Sequence, residues 1–520
     1  MRLVSKTKIQ HFSLVLGLGI ALNACDNSDD DDENVGEVDA VASYTAAEAT
    51  LSAMSAELRG VYDAAPATYT FSRDGASTVS YTGQVFRQVL IEDLKTYIGN
   101  LKQGLYQGTE EEALAALNSY LNYSFDNAST AAGVINGSST IAVQPTDLSG
   151  NNLPIAEGNT YADLQDPGKN LSGKLAFNDN TDGPRAQLLG WNSDQVGSIT
   201  VSSLDFDGEG NATEPEDLLQ AWFRIIADQS INGQSFTIAN GDQPAQSLDE
   251  AYITESGLDL NQLVQKFLHG AVSLSQAADD YLSSNRGETK GVLADNEEIA
   301  KPGVRYTALE HHWDEAFGYY GAAQDFLSYT DEQVKTKGSI DTNGDGSIAL
   351  LSEKNFGIAI NSAKRDLDAT TELNFSENIM KAFLAGRHLI DQKPEGYREV
   401  LPAIATIIRV DWERVVAASA IHYVNKTISE MDEFGTENYL FKDHAKFWGE
   451  LKGFALGLQF SPEKILTDEQ FVKFHDLVGD VPVLGSEGAE KLAEYKAKLE
   501  EARLIIQEAY GFSSEDAANW

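Results

Sequence analysis

One cysteine, Cys25, occurs in 520 residues, so the chain cannot build an internal disulfide, a zinc knuckle, an iron–sulfur cluster or a covalently held haem. Positive charge is also scarce: 38 Lys and Arg stand against 80 Asp and Glu, a formal net charge of −42. So acidic a chain repels phosphate, and no Lys/Arg-rich stripe interrupts the negative field, which disfavours nucleic acid and anionic lipid as partners. Cations are its natural small partners. After the N-terminal apolar run, no segment reaches the roughly 18 uninterrupted apolar residues that a membrane helix needs. GxSxG, HExxH, Walker and dinucleotide fingerprints are all missing, which leaves nucleophilic catalysis little support.

What is present starts with the position of that cysteine. Cys25 directly follows Leu22-Asn23-Ala24; Arg2, Lys6 and Lys8 supply a positive n-region, and Phe12 to Leu22 an apolar h-region too short to span a bilayer. This pattern predicts a lipoprotein signal over 1–24, with the Cys25 thiol as the lipid attachment point. It places the chain in the cell envelope as a lipid-anchored protein, at the outer membrane (periplasmic face or cell surface) in preference to the inner. Asp26 to Glu33 reads DNSDDDDE, a like-charged block that cannot collapse and serves as a solvated tether over 25–43.

Order is expected from Tyr44. A region over 44–122 holds a short helix to Tyr62, a hairpin signal around Arg73-Asp74-Gly75 with strand residues Tyr69 to Phe71 and Thr78 to Tyr81, and a helix from Gln84 to Ile98. From 123 to 257 Gly, Asn, Ser, Thr and Asp dominate and helical spacing fades apart from Leu218 to Ala227, the mark of a loop-rich insert tied down by packing or by ions. Beyond Leu258 apolar stripes at i, i+3, i+4 and i+7, such as Leu260, Leu263, Val264, Phe267 and Ala271, predict seven or eight antiparallel helices over 258–512. The fold class expected is mainly α: antiparallel helical bundles with a small N-terminal β-hairpin and a loop-rich insert.

The strongest local signal is Glu310-His311-His312-Trp313-Asp314-Glu315-Ala316-Phe317-Gly318-Tyr319. Helical spacing buries Tyr306, Leu309, Trp313, Ala316, Phe317 and Tyr320 and sets Glu310 and His312 on opposite edges of that face. His312 and Glu315, three apart, can present an imidazole and a carboxylate to one cation, as can His311 and Glu315. Such an HxxE pair is the minimum for a metal in a helix bundle, and facing helices must supply the rest. Candidates are His444, which shares a face with Trp448, Leu451 and Ala455, and His422. Gly386-Arg387-His388-Leu389-Ile390-Asp391 offers a second pair, His388 and Asp391. With no thiol available, His and carboxylate ligands favour iron, zinc, manganese or copper.

A second signal is Asp341-Thr342-Asn343-Gly344-Asp345-Gly346-Ser347-Ile348, which matches the first half of a calcium loop, with oxygen donors at positions one, three and five and glycine at six. Position twelve is Ser352, and the acid Glu353 comes one residue late. The predicted calcium set is Asp341, Asn343, Asp345, Ser347 and Glu353. Looser echoes lie at Asp205 to Glu216 and at Asn178 to Gly183.

Glu310 to Tyr319, with Tyr81-Thr82-Gly83-Gln84 and the His444…Trp448-Gly449-Glu450 helix, resembles an uncharacterised family of bacterial secreted lipoproteins over roughly Tyr69 to Gly479. That family is similar to imelysin-type proteins, which are implicated in iron-regulated uptake and carry a GxHxxE motif. Here Gly386, His388 and Asp391 copy the motif with Asp for Glu, while His312 and Glu315 lack the Gly. Together these observations lead to a non-catalytic, lipid-anchored protein that binds a metal or an iron-bearing ligand through His312, Glu315, Glu310, His444 and His422, with envelope uptake partners. The rivals are a carbohydrate- or protein-capturing lipoprotein using Trp191 and Trp222, and a metallopeptidase-like hydrolase.

Overall fold

The Asp-Gly turn predicted near the N-terminus forms in the computed structural model, which describes residues 40–123, 134–164, 169–177, 188–193, 195–197, 199–201 and 214–520. Cys25, the acidic block after it, and most of both loose acidic repeats (Asn178 and Asp182; Asp205, Asp207 and Glu209) lie outside these residues. Strands β1 (Ser72–Arg73) and β2 (Ala76–Ser77) pair antiparallel, with Ser72 opposite Ser77. Asp74 and Gly75 between them take φ of 52° and 75°, the left-handed pair that a two-residue turn between twisted strands requires.

The described residues hold sixteen α-helices and only small two-stranded sheets, so the protein is mainly α with a small β element. Eight helices frame the sites below: α1 (Thr82–Gly99), α2 (Pro215–Asn232), α3 (Leu260–Leu268), α4 (Ala308–Tyr320), α5 (Gly357–Asp368), α6 (Phe375–Gln392), α7 (Tyr397–Asp432) and α8 (Phe441–Gly457). The 36-residue α7 is the spine, packed against α5, α6 and α8. It is buried on several sides, which explains why its sequence shows no single apolar stripe. Trp222, Trp313, Trp412 and Trp448 are all fully buried and anchor the core from four different helices. Gly270 and Gly457 let the segment after α3 cross α8 in backbone contact: a Cβ on Gly270 would lie 2.3 Å from the Gly457 Cα.

Three features depart from the sequence-based expectation. Helix is interrupted beyond Leu258: 282–307 and 321–356 are mostly turns and short 3-10 pieces, and ten α-helices begin at or after Leu260, two of which, Asp331–Lys335 and Ser514–Asn519, are only five and six residues long. After α3 the chain continues as two π-helical segments, His269–Leu274 and Gln276–Tyr281. Within 123–257, α2 is longer than the Leu218–Ala227 run suggested, and it is followed by an antiparallel hairpin, β3 (Phe236–Asn240) and β4 (Gln243–Leu248). Much of this polar stretch is held by packing. Ile155 bridges Ile348, Thr146–Asp147 pairs in parallel with Gly338–Ser339, and Glu157 accepts from the Leu350 and Leu351 amides.

Candidate functional site

Helix α4 starts because Thr307 and Glu310 form a capping box. Thr307 Oγ1 accepts from the Glu310 amide at 3.2 Å, and the Glu310 carboxylate accepts from the Thr307 amide at 2.8 Å. It stops at Gly321, whose φ of 82° suits a left-handed helix end. Two different chemistries occupy its sides.

On one side Glu310 and Asp314, one turn apart, face the wholly buried Arg387 of α6. The guanidinium donates from Nε to Asp314 Oδ1 at 2.9 Å, from Nη1 to Glu310 Oε1 at 3.2 Å and from Nη2 to Thr78 Oγ1 at 2.9 Å. Tyr69 donates its hydroxyl to Asp314 at 2.9 Å, the Ser80 amide donates to the same carboxylate at 3.0 Å, and Arg73 adds a second cation on Glu310 at 2.8 Å. The cluster therefore clamps the N-terminal hairpin onto α4 and α6. A buried charge group of this kind persists only when its hydrogen bonds are completed, as they are here.

On the other edge stand His311, His312 and Glu315. His311 Nδ1 meets the Ser80 carbonyl at 3.0 Å, and its Nε2 lies 3.9 Å from Glu315 Oε1, which also accepts from Gln84 at 2.8 Å. The π-helical run after α3 brings the Tyr281 ring within 6.1 Å of the His312 ring. Burial, the main cause, lowers the pKa of His312, with Glu315 pulling the other way, so the ring is neutral at neutral pH. Its Nδ1 is buried and has no hydrogen-bond partner among the described residues.

The remaining predicted ligands are dispersed. Glu310 is committed to Arg387, Arg73 and its cap, and belongs to the clamp instead of the His312 edge. His444 does point into the bundle, fully buried, but its Nδ1 meets the Tyr439 hydroxyl at 3.0 Å. His422 sits beside Asp368 at 3.9 Å and edge-on to Tyr423. His388 is partly exposed, and the neighbouring Asp391 accepts from Gln392. Gly386 has a packing reason of its own, because the Trp313 indole lies on it and a Cβ there would meet Cζ2 at 2.1 Å. Among the described residues, no three His, Cys, Asp or Glu side chains gather to hold a metal ion. Trp222 is buried in the core with Trp191 edge-on against it at 5.7 Å, so this pair forms no open binding face.

The Asp341 loop adopts a self-closing turn. Asp341 accepts from the amides of Gly344, Asp345 and Gly346, and Asp345 from that of Ser347. Glu353, shifted by one position, accepts from the Thr342 and Ala349 amides at 2.8 Å each and is buried. Its two oxygens thus brace the loop from behind, leaving Asp341, Asn343, Asp345 and Ser347 at the exposed rim.

Arg387 escaped the sequence reading although it lies inside the GxHxxD run. The usable signal was Glu310 and Asp314 on the apolar side of α4, since two carboxylates there require a buried cation.

These features define a mainly helical protein with a clamped hairpin and a histidine-bearing helix edge. The family model described as Domain of unknown function (DUF4856) matches residues 120–512, and the chain belongs to that family. No curated protein and no solved structure matches it.

Proposed function

We propose that this chain is a lipid-anchored, non-catalytic protein of the cell envelope that binds a transition metal (iron, zinc or copper) or an iron-bearing ligand at the His312–Glu315 edge of α4. What supports this reading is the neutral His312, with an unpartnered Nδ1 beside a carboxylate and a second imidazole. So small a donor set leaves coordination positions unfilled by the protein, which suits a metal arriving with its own chelator better than a bare ion. The uptake role, with envelope partners, rests on the resemblance to imelysin-type iron-regulated proteins. Attachment through lipidated Cys25 supplies the membrane contact, at the outer membrane by preference; no helix among the described residues is long and apolar enough to cross a membrane. Calcium at the rim of the Asp341 loop would stiffen the connection between α4 and α5.

Elemental analysis of protein purified without chelator tests the metal proposal. Wild type should carry iron, zinc or copper that His312→Ala lacks while keeping its helical circular dichroism. Equal metal content in the two would overturn it.

A further inference from the structure

Positive charge gathers around a cavity of about 410 Å³ lined by Lys95 of α1, Lys337, Lys354 and Asn261 of α3, among others. Loop residues 142–144 and Thr146 of the insert close one wall, so the cavity exists only because the insert packs over the bundle. Among the described residues the only carboxylate lining it is Glu92, and this is already engaged by Lys354 at 3.3 Å. Behind the wall Lys266 is paired with Glu450 at 3.2 Å, and Lys364 of α5 adds a further ammonium to the same cluster. Lys95 and Lys337 have no ion-pair partner among the described residues.

We infer that this cavity binds a small organic anion carrying two or more carboxylate or phosphate groups, held by Lys95 and Lys337 and oriented by Asn261. The Asn261 side chain is 7% exposed and its Oδ1 has no hydrogen-bond partner, so the cavity offers a desolvated polar group awaiting a ligand hydroxyl or protonated oxygen. The volume lies within the range of small-molecule sites. Lysine ammonium groups act as point charges and accept either carboxylate or phosphate without the planar matching that arginine imposes. Burial, followed by the charges of Lys266 and Lys337, pushes Lys95 down to about 6, the state expected of an ammonium site lacking its counter-charge. Glu450 and Asp259 offset this only in part: Glu450 is paired with Lys266, and burial raises Asp259 to about 7 while it caps α3.

The test is a thermal-shift and calorimetric titration of the full chain with citrate, pyrophosphate or inorganic phosphate, against chloride at equal ionic strength. At least one probe should raise the midpoint of wild type; citrate alone identifies a carboxylate ligand, and pyrophosphate or phosphate a phosphorylated one. Lys337→Gln, at an exposed position, should fold normally and bind about tenfold more weakly or worse. Lys95→Met should melt higher than wild type without ligand, because the cost of burying the amine and stripping its proton on folding has been removed, and should lose the ligand-induced rise. His312→Ala should bind the anion like wild type, which separates this site from the metal proposal. No response of wild type to any probe, or unchanged binding in both lysine variants, would overturn the inference.

Discussion

Arg387 and Asp314 meet where neither side chain has any exposure, the guanidinium Nε donating to the carboxylate at 2.9 Å. Seventy-three residues separate them in the chain, and the same guanidinium reaches 309 residues back to Thr78. This contact joins α4, α6 and the hairpin into one unit.

Removing the guanidinium leaves Asp314 and Glu310 buried with Arg73 as their remaining cation. Arg387→Met is therefore expected to cost about 3–5 kcal/mol in urea unfolding. Arg387→Lys should recover only part of that loss, because one ammonium cannot span acceptors on Asp314, Glu310 and Thr78 together. Equal stability of Arg387→Met and wild type would show that the clamp contributes nothing.

Gly386→Ala tests whether that glycine serves packing. The new Cβ would lie 2.1 Å from Trp313 Cζ2, and the indole is also tied by its Nε1 to the Phe383 carbonyl at 3.0 Å. A loss of about 1–3 kcal/mol or more is expected, with altered near-ultraviolet circular dichroism from Trp313. Metal content should fall no further than unfolding accounts for.

Burial pushes His444 down to about 4, against about 6.5 in an unfolded chain. Above pH 6.5 both states are neutral; as the pH falls toward 4 the unfolded state takes up a proton that the folded state refuses, and stability is lost. The contribution is roughly 3 kcal/mol across that window. His422, pushed down to about 2 by burial and by Arg365, acts in the same direction. Glu413, raised to about 7 by burial, acts oppositely, since its protonated form is favoured on folding and that stability is lost as the pH rises. Measured by urea unfolding at pH 7 and pH 4.5, His444→Phe should lose less stability than wild type over this interval. An identical pH dependence would mean that His444 titrates normally.

Calcium should raise the thermal midpoint of wild type, and EGTA should reverse the rise. Asp345→Ala should abolish the response, because Asp345 sits at the loop rim. Glu353→Gln should lower the midpoint even without calcium, since its oxygens brace the Thr342 and Ala349 amides. A wild type indifferent to both calcium and EGTA would remove the loop from consideration as an ion site.

Local features were readable in advance because neighbouring residues determine them. The Asp74-Gly75 turn follows from the left-handed backbone those residues tolerate, and the burial of Leu309, Trp313, Ala316, Phe317 and Tyr320 on α4 follows from apolar spacing, whereas Tyr306 lies ahead of the helix and is only partly buried. The inward direction of His444 follows from its register with Trp448 and Leu451. The β3–β4 hairpin was missed: the alternation of Phe236 and Ile238 before Gly241-Asp242 is its only local mark, and the polar composition around it reads as loop.

The sequence by itself determined the mainly helical class, the first turn and the acidic balance, all of which depend on short-range sterics, apolar periodicity or simple composition. Only the tertiary structure decided which charges are buried together. Whether an arginine or lysine faces solvent or a carboxylate depends on partners tens to hundreds of residues away, so neither the choice of Arg387 as the cation for Glu310 and Asp314 nor the lysine-lined cavity has a local signature. The same long-range packing set the Tyr281 ring against His312 and Asp368 beside His422, because an imidazole takes whatever neighbours the folded chain brings within reach.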